Sequence, residues 1–234
     1  MSKQEKTESE ANDQAEEKSG EPEAKESPLA NSAEESARDP AGPVKSFELT
    51  PAIRNRWLST GIDQRHAVYR GWGDSPWHKA RWRIIQVLSR GEAVILGGQR
   101  GTAKTQILAD TCLHFVTSNK RARYIHALDL AHRLRDAAMG EGAGLKNLHD
   151  WMQSMDLMAI DEIQDCSDTD FTETEFRLLI DKRYRAKKAT IIAGNIDEES
   201  ASLVLGDSII RRVNDGGGMF MADWEPFVKE EAQE

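Results

Sequence analysis

The sequence predicts an α/β protein in which a five-stranded parallel sheet is flanked by helices. From residue 91 onward, short apolar runs alternate with helical segments, which is typical of βαβ units. The first apolar run leads into a glycine-bearing loop and a helix, and a later run ends in two adjacent carboxylates. The strands are predicted at 93–96, 122–127, 157–160, 190–193 and 219–222, the helices at 103–117, 128–139, 171–185 and 202–213, and a Gly-rich surface loop at 140–145.

The α/β pattern occupies residues 91–228, and the chain before it divides into two parts. Residues 1–45 carry 12 acidic and 6 basic side chains and no aromatic residue. They cannot bury enough apolar surface to offset chain entropy, so this acidic tail is expected to be disordered. Residues 46–90 hold four of the six tryptophans and 8 basic against 3 acidic residues, which predicts a small helical extension whose last helix covers 76–89. Residues 229–234 form a short tail.

Two interpretations stay open for each N-terminal part. The aromatic and basic side chains of 46–90 either pack a helical layer onto the core, which we favour, or contact nucleic acid or an adenine ring. The acidic tail either keeps the chain in solution or acts as a partner-binding or DNA-mimicking arm. The arginines of 46–90 that either pack or contact a ligand are Arg54, Arg56, Arg65, Arg70, Arg81 and Arg83.

Several protein classes are disfavoured by what the sequence lacks. Neither Cys112 nor Cys166 lies in a CxxC pattern or beside a histidine cluster, which argues against a disulfide scaffold or metal site and fits a reducing compartment. No apolar run reaches the roughly 18 residues that cross a bilayer, and the N-terminus has no apolar signal-peptide core. We therefore expect a cytoplasmic protein with no membrane partner.

Residues 93–105 predict a phosphate-binding loop between a buried strand and a helix. Unpaired backbone N–H groups and the positive end of the helix dipole converge at such a turn. The segment approaches the pattern G-x-x-x-x-G-K-[ST], in which Gly98 opens the loop and Gly101 allows its tight path. Lys104 is expected at the β- and γ-phosphates of ATP, and Thr105 at Mg²⁺.

The loop departs from the pattern at Ala103, where the pattern has glycine. A methyl group there crowds the phosphates and restricts φ, although alanine suits the helix predicted to begin at this position. Ala103 therefore bears on the rate of hydrolysis more than on binding. The nucleotide-binding residues predicted from the loop are Gly98, Gly101, Thr102, Ala103, Lys104 and Thr105, with ATP and Mg²⁺ as cofactors.

The run that ends in Asp161 and Glu162 predicts the catalytic edge of the sheet. Ligands of open α/β sheets bind at the carboxyl ends of the strands, where this pair lies. Asp161 is expected to hold Mg²⁺ through its water shell, and Glu162 to orient and deprotonate the attacking water. The alternative, a strand end capped by solvated acids, is less favoured because the pair follows a phosphate loop.

Two further segments of the sequence contain residues that are expected to respond to bound nucleotide. Asn195 follows an apolar strand, and its amide can bond both a water and the γ-phosphate, so it is a candidate sensor of nucleotide state. Arg211 and Arg212 lie at a helix end, where they either pair with the helix dipole or enter a neighbouring subunit's site as an arginine finger. We favour Arg212 as the finger.

Residues 90–228 resemble bacterial helicase loaders of the DnaC type and the related IstB-type transposition helper ATPases. The resemblance rests on the loop, on the segments 123–130, 159–163 and 176–195, and on 205–213 followed by a last strand and Trp224. It implies an AAA+ fold with strand order 5-1-4-3-2 and an absent or vestigial lid, since the sequence ends soon after Arg212. Lys104 and Thr105 would then take the Walker A role, Asp161 and Glu162 the Walker B role, Asn195 the sensor role and Arg212 the finger role.

The resemblance implies a slow, partner-stimulated ATPase that loads a replicative DNA helicase. Its expected partners are that helicase, single-stranded DNA and further copies of itself in an ATP-dependent homo-oligomer. Two alternatives stay open: an IstB-like transposition helper that assembles on DNA, and a non-hydrolysing nucleotide-gated adaptor. The acidic tail is unusual for the family and suggests a phage or mobile-element version.

Overall fold

The computed structural model describes residues 49–227, apart from 72, 142–143 and 167–169. The predicted disordered segment 1–45 and the tail 229–234 lie outside the described residues. Strands form where the apolar runs predicted them: β1 (Ala93–Gly98), β2 (Ala122–His126), β3 (Leu157–Asp161), β4 (Ala189–Ala193) and β5 (Met219–Ala222). The five strands make one parallel sheet in the order β2-β3-β4-β1-β5. This is the predicted order read from the other edge, and it confirms the AAA+ fold.

The sheet is covered on its faces, which explains why its strands are continuous apolar runs instead of alternating ones. Every residue of β3 and β4 is buried. Helices α3 (Lys104–Thr117), α4 (Ala127–Ala138) and α6 (Asp170–Arg185) form close to their predicted positions. Because β3, β4 and β1 are neighbours, the loops that follow them meet at one edge of the sheet.

The structure differs from the sequence-based prediction in two helical regions. Helix α5 (Gly144–Ser154) is absent from the prediction, and it begins within the predicted loop 140–145. Its apolar residues Leu145, Leu148, Trp151 and Met152 pack on or into the core at helical spacing, a signal that the neighbouring glycines obscured.

The predicted helix 202–213 is two helices, α7 (Glu198–Leu205) and α8 (Asp207–Gly216). Gly206, with φ of +80°, takes a left-handed conformation that ends α7 and directly precedes α8. Asp197 begins α7 by accepting a hydrogen bond from the backbone of Ser200 at 2.8 Å. The spacing of apolar residues does not predict such a break, because the break depends on the backbone conformation of a single glycine.

The basic N-terminal segment forms helices α1 (Pro51–Leu58) and α2 (Pro76–Ser89), with a short 3-10 turn (Gln64–His66) between them. Trp57 is fully buried and donates from Nε1 to the Ala109 carbonyl of α3 at 2.8 Å. Arg81 is also buried and pairs with Asp110 at 2.5 Å. For Trp57 and Arg81, the structure therefore supports the packing interpretation. In the described part of the chain, no helix is long and apolar enough to cross a membrane.

Candidate nucleotide site

The phosphate loop follows β1 and leads into α3. Gly98 ends the strand with φ of +124°, and a Cβ atom there would lie 2.8 Å from the Ala222 carbonyl oxygen. Gly101 also has a left-handed φ, of +82°. Position 98 therefore requires glycine, because its φ is positive and because β5 approaches it closely. The side chain of buried Thr102 donates to the Gln99 carbonyl at 2.9 Å, which closes the turn internally.

Ala103 differs from its prediction as the first helical residue. The helix begins one residue later, at Lys104, and Ala103 precedes it in a left-handed conformation with φ of +58°. For a residue with a Cβ atom this conformation costs roughly 1–2 kcal/mol. The pattern's glycine is therefore missing at a position where the backbone conformation favours glycine.

Lys104 extends back over the loop that precedes it. Its ammonium donates to the carbonyls of Gly98 (2.7 Å) and Gln99 (2.6 Å) and to Oδ1 of Asn195 (3.0 Å). Burial lowers the pKa of Lys104, and the nearby Asp161 carboxylate opposes that shift. The predicted phosphate-binding cation and the predicted sensor amide are therefore in direct contact.

The side chains of Thr105 and Asp161 are hydrogen-bonded to each other at the carboxyl edge of the sheet. The Thr105 hydroxyl donates to Asp161 Oδ2 at 2.8 Å, and the Asp161 carboxylate is almost completely buried at the end of β3. The Tyr124 hydroxyl donates to the same oxygen at 2.9 Å. Burial, reinforced by Asp161, raises the pKa of Tyr124, so this hydroxyl stays a donor. Sequence reasoning missed Tyr124, although it lies on β2 two residues before the strand's last residue, on the same face.

Glu162 follows β3 with a left-handed φ of +55°. Its carboxylate is half exposed and lies 3.1 Å from Nδ1 of His126, the last residue of β2. The backbone N–H of Glu162 donates to Asp161 Oδ1 at 3.0 Å. The two carboxylates thus take different environments, one buried and one facing solvent beside a histidine that the sequence analysis did not single out.

Asn195 follows β4, the strand between β3 and β1. Its backbone N–H donates to Oε1 of Gln164 at 2.9 Å, which fixes the residue next to the segment that follows Glu162. Its side chain reaches Lys104, as described above. The residues that follow three neighbouring strands therefore converge, as expected for a ligand site at the carboxyl edge of a parallel sheet.

Arg212 is held within its own chain, away from this cluster. Its guanidinium lies 2.5 Å from Asp181 of α6 and donates to the Ser208 carbonyl at 2.9 Å. Arg211 on the same helix is exposed. Among the contacts of residues 49–227, none joins either arginine to the phosphate loop, and the finger role of Arg212 stays a prediction.

A cavity of about 690 Å³ opens beside the phosphate loop. Its walls come from the loop itself, from the segment after β4 and from the segment that follows β5. The residues that line it include Gly98, Arg100, Asn195, Asp197 and Trp224. The volume falls in the range of small-molecule and cofactor pockets, roughly 300–1,000 Å³.

The donor set fits Mg²⁺ together with a nucleotide. Mg²⁺ prefers oxygen ligands and keeps several waters, and it is commonly held by one or two protein groups plus substrate phosphates. The adjacent oxygens of Thr105 and Asp161 supply such groups. Within the described residues, no cluster of three or more His, Cys, Asp or Glu side chains forms a self-contained metal site. The oxygen pair of Thr105 and Asp161 suits a metal that a phosphate ligand brings to the site.

Comparisons with known proteins identify the family and the fold. The sequence profile of the family described as IstB-like ATP binding protein matches residues 80–213, more than half of the chain. The replicative helicase loader DnaC of Escherichia coli strain K12 is 22% identical over 150 residues, covering 64% of this chain and 61% of that protein. DnaC of Buchnera aphidicola (subsp. Acyrthosiphon pisum) is 23% identical over 136 residues, covering 57% and 55%. The chain thus spans about three fifths of these relatives.

Solved structures extend the comparison to the fold. AMPPCP-bound DnaA from Aquifex aeolicus gives a TM-score of 0.57 at 18% identity, covering 65% of this chain and 48% of that one. A crystal structure of the DnaC helicase loader gives 0.52 at 18% identity, covering 71% and 98%. At these identities the likeness concerns the fold alone. With the profile match, the sheet order and the phosphate loop taken together, the chain belongs to the IstB-like ATP-binding protein family and has the AAA+ P-loop fold.

Proposed function

We propose that this protein is an ATP-dependent loader of a replicative DNA helicase, which binds ATP with Mg²⁺ and single-stranded DNA. The observation that carries the proposal is the convergence of Lys104, Thr105, Asp161, Glu162 and Asn195 at the carboxyl edge of three neighbouring strands. The similarity to helicase loaders named DnaC supports the partner. A structural neighbour, the replication initiator DnaA bound to AMPPCP and single-stranded DNA, supports the ligand class.

Nucleotide binding requires Lys104 to exchange its partners. In the structure its ammonium satisfies three protein oxygens, those of Gly98, Gln99 and Asn195. Phosphate oxygens carry more negative charge than these neutral acceptors and form stronger, charge-assisted bonds with an ammonium. Lys104 therefore moves to the phosphates, which frees the Asn195 amide to bond the γ-phosphate and the attacking water.

The two carboxylates take separate roles in hydrolysis. Asp161, buried and tied to Thr105 and Tyr124, holds the cation's water shell. Glu162, whose carboxylate is more exposed and lies beside His126, orients the water and accepts its proton. Mg²⁺, when bound, neutralises the charge that develops on the phosphates. Arg212 from a neighbouring subunit completes the site in the oligomer.

ATP binding is tested with Lys104→Ala, using the exposed Lys146 of α5, changed to alanine, as a matched control. Titration with a fluorescent ATP analogue is expected to show no saturable binding for Lys104→Ala and wild-type affinity for Lys146→Ala. The ATPase rate with and without single-stranded DNA, and co-purification with the replicative helicase of the same cell, test the remaining parts. A wild-type protein that binds ATP and yet never retains helicase or single-stranded DNA would contradict the loader function.

A second candidate is a transposition helper ATPase that assembles on duplex DNA, which the IstB-like profile match favours. The same purified protein distinguishes the two, because a helper forms ATP-dependent filaments on duplex DNA and a loader retains helicase. Glu162→Gln addresses the third candidate, a non-hydrolysing adaptor. Both enzyme hypotheses expect this variant to bind ATP and to stop turnover, whereas an adaptor would show negligible turnover before and after the change.

A further inference from the structure

Successive carbonyls of the phosphate loop accept hydrogen bonds from the segment that follows β5. The backbone N–H of Phe227 donates to the Gly101 carbonyl at 3.1 Å. The indole Nε1 of Trp224 donates to the Thr102 carbonyl at 2.9 Å. Pro226 also approaches the loop, since a Cβ atom built on Gly101 would lie 3.4 Å from its side chain. We call residues 223–227 the C-terminal brace.

The N-terminal end of α2 supports the same part of the loop. Nε1 of buried Trp77 donates to the Ala103 carbonyl at 3.3 Å, a carbonyl that also accepts from the first turn of α3. Trp77 in turn contacts the Phe227 ring edge to face, with 6.1 Å between centroids. The brace and α2 therefore contact each other as well as the loop.

These bonds set the direction in which the loop's N–H groups point. The C=O and N–H of a trans peptide unit point in opposite directions. A bond that holds the Thr102 carbonyl on one side therefore holds the Ala103 N–H on the other, and the bond to Gly101 does the same for the Thr102 N–H. N–H groups of this kind are the ones with which a phosphate loop cradles its ligand.

The conformation of Ala103 gives a second reason for support at this point. A non-glycine residue in a left-handed conformation persists only where its surroundings enforce it. Ala103, with φ of +58°, lies between the peptide unit bonded to Trp224 and the carbonyl bonded to Trp77. Without these bonds, the loop would be free to relax away from the binding conformation.

We propose that the C-terminal brace, chiefly through Trp224, is a positioning element that holds the phosphate loop in its nucleotide-binding conformation. The inference rests on the proposed ATP binding at this loop. It extends the set of residues that support binding beyond the known motif. Trp224 acts through the Thr102 carbonyl, so its effect is on the affinity for nucleotide and on loop order, and not on the chemical step.

The test compares Trp224→Phe, which keeps an aromatic ring and removes the N–H donor, with Trp151→Phe on α5 as a matched control. A net hydrogen bond is worth roughly 1 kcal/mol, so the Kd and KM for ATP are expected to rise about threefold to tenfold in Trp224→Phe, with kcat at saturating ATP unchanged. A variant truncated after Ala222, the last residue of β5, which removes the whole brace, is expected to lose at least as much affinity.

Amide hydrogen exchange of a peptide that spans 98–105 gives a readout that needs no nucleotide. Exchange is expected to be faster in Trp224→Phe than in the wild type, with Trp151→Phe unchanged, and saturating Mg-AMPPCP is expected to remove the difference. Unchanged exchange and affinity in Trp224→Phe, or an equal loss in Trp151→Phe, would overturn the proposal. A wild type that binds no nucleotide would instead remove the proposed function, while the exchange comparison would still report on the brace.

Discussion

At the scale of single residues, Ala103 decides how closely this site follows the phosphate-loop pattern. The sequence shows an alanine where the pattern has glycine, and the structure gives it a left-handed backbone. The mismatch is therefore a source of strain at the point where the phosphates are expected. Glycine would remove the strain of roughly 1–2 kcal/mol. It would also give the unfolded chain more backbone freedom, which lowers the free energy of unfolding by about 0.4–1 kcal/mol.

We accordingly predict that Ala103→Gly stabilises the protein slightly, by about 0–1.6 kcal/mol, and binds ATP more tightly than the wild type. Urea unfolding and ATP titration measure the two effects. The matched control is Ala137→Gly inside α4, where a helical backbone makes glycine unfavourable by about 0.5–1 kcal/mol. Equal destabilisation by both changes would show that Ala103 is not strained.

At the scale of secondary-structure elements, the side chain of Arg183 connects α6 with α5 and β4. It is completely buried on α6 and donates to the carbonyls of Met152 (2.6 Å) and Met155 (3.1 Å) next to β3. It also bonds the Ala189 carbonyl (2.6 Å) and the Thr190 hydroxyl (3.0 Å) of β4. Burial lowers the pKa of Arg183 to about 9, which reflects the cost of placing this cation in the interior. The hydrogen bonds to α5, β4 and their connections offset that cost.

Replacing Arg183 with methionine is expected to lower the free energy of unfolding by about 3 kcal/mol or more, because several buried carbonyls lose their donor at once. Urea denaturation is the measurement. Arg185→Met on the exposed side of the same helix serves as the control and is expected to change stability by no more than about 0.5 kcal/mol. Similar losses for the two variants would mean that the buried bonds contribute little.

At the scale of the whole molecule, the position of Arg212 bears on self-assembly. Its ion pair with Asp181 keeps it inside its own subunit, so entry into a neighbour's site requires that pair to open. We predict that Arg212→Ala binds ATP normally and loses turnover on the order of 10³-fold in the assembled protein, whereas Arg211→Ala stays close to wild type.

Mixing experiments separate action on a neighbouring subunit from a local effect. Arg212→Ala subunits keep an intact nucleotide site, and Glu162→Gln subunits bind ATP and keep the arginine, so a mixture of the two inactive proteins is expected to recover part of the ATPase activity. A mixture that stays inactive would place the effect of Arg212 within its own subunit. Loss of turnover in Arg211→Ala alone would identify Arg211 as the finger.

Much of the fold was predictable from sequence because buried parallel strands are continuous apolar runs and because glycines mark the phosphate loop. The five strands and their order agree with the structure. The missed helix α5 and the break at Gly206 both occur at glycines, where backbone freedom makes the local conformation depend on neighbouring elements. The roles of the residues named for the site remain predictions, and the structure brings these residues, apart from Arg212, to one edge of the sheet.

The sequence by itself determined the fold class, the strand order through its resemblance, and which residues form the loop and the carboxylate pair at the end of β3. These follow from local patterns of apolar residues, glycines and charges along the chain. Only the tertiary structure decided that Tyr124 and His126 contact the carboxylates and that Lys104 touches Asn195. It alone placed Trp224 against the loop, 122 residues away in sequence. Contacts between distant segments depend on how strands align and helices pack, and no short pattern in the sequence encodes them.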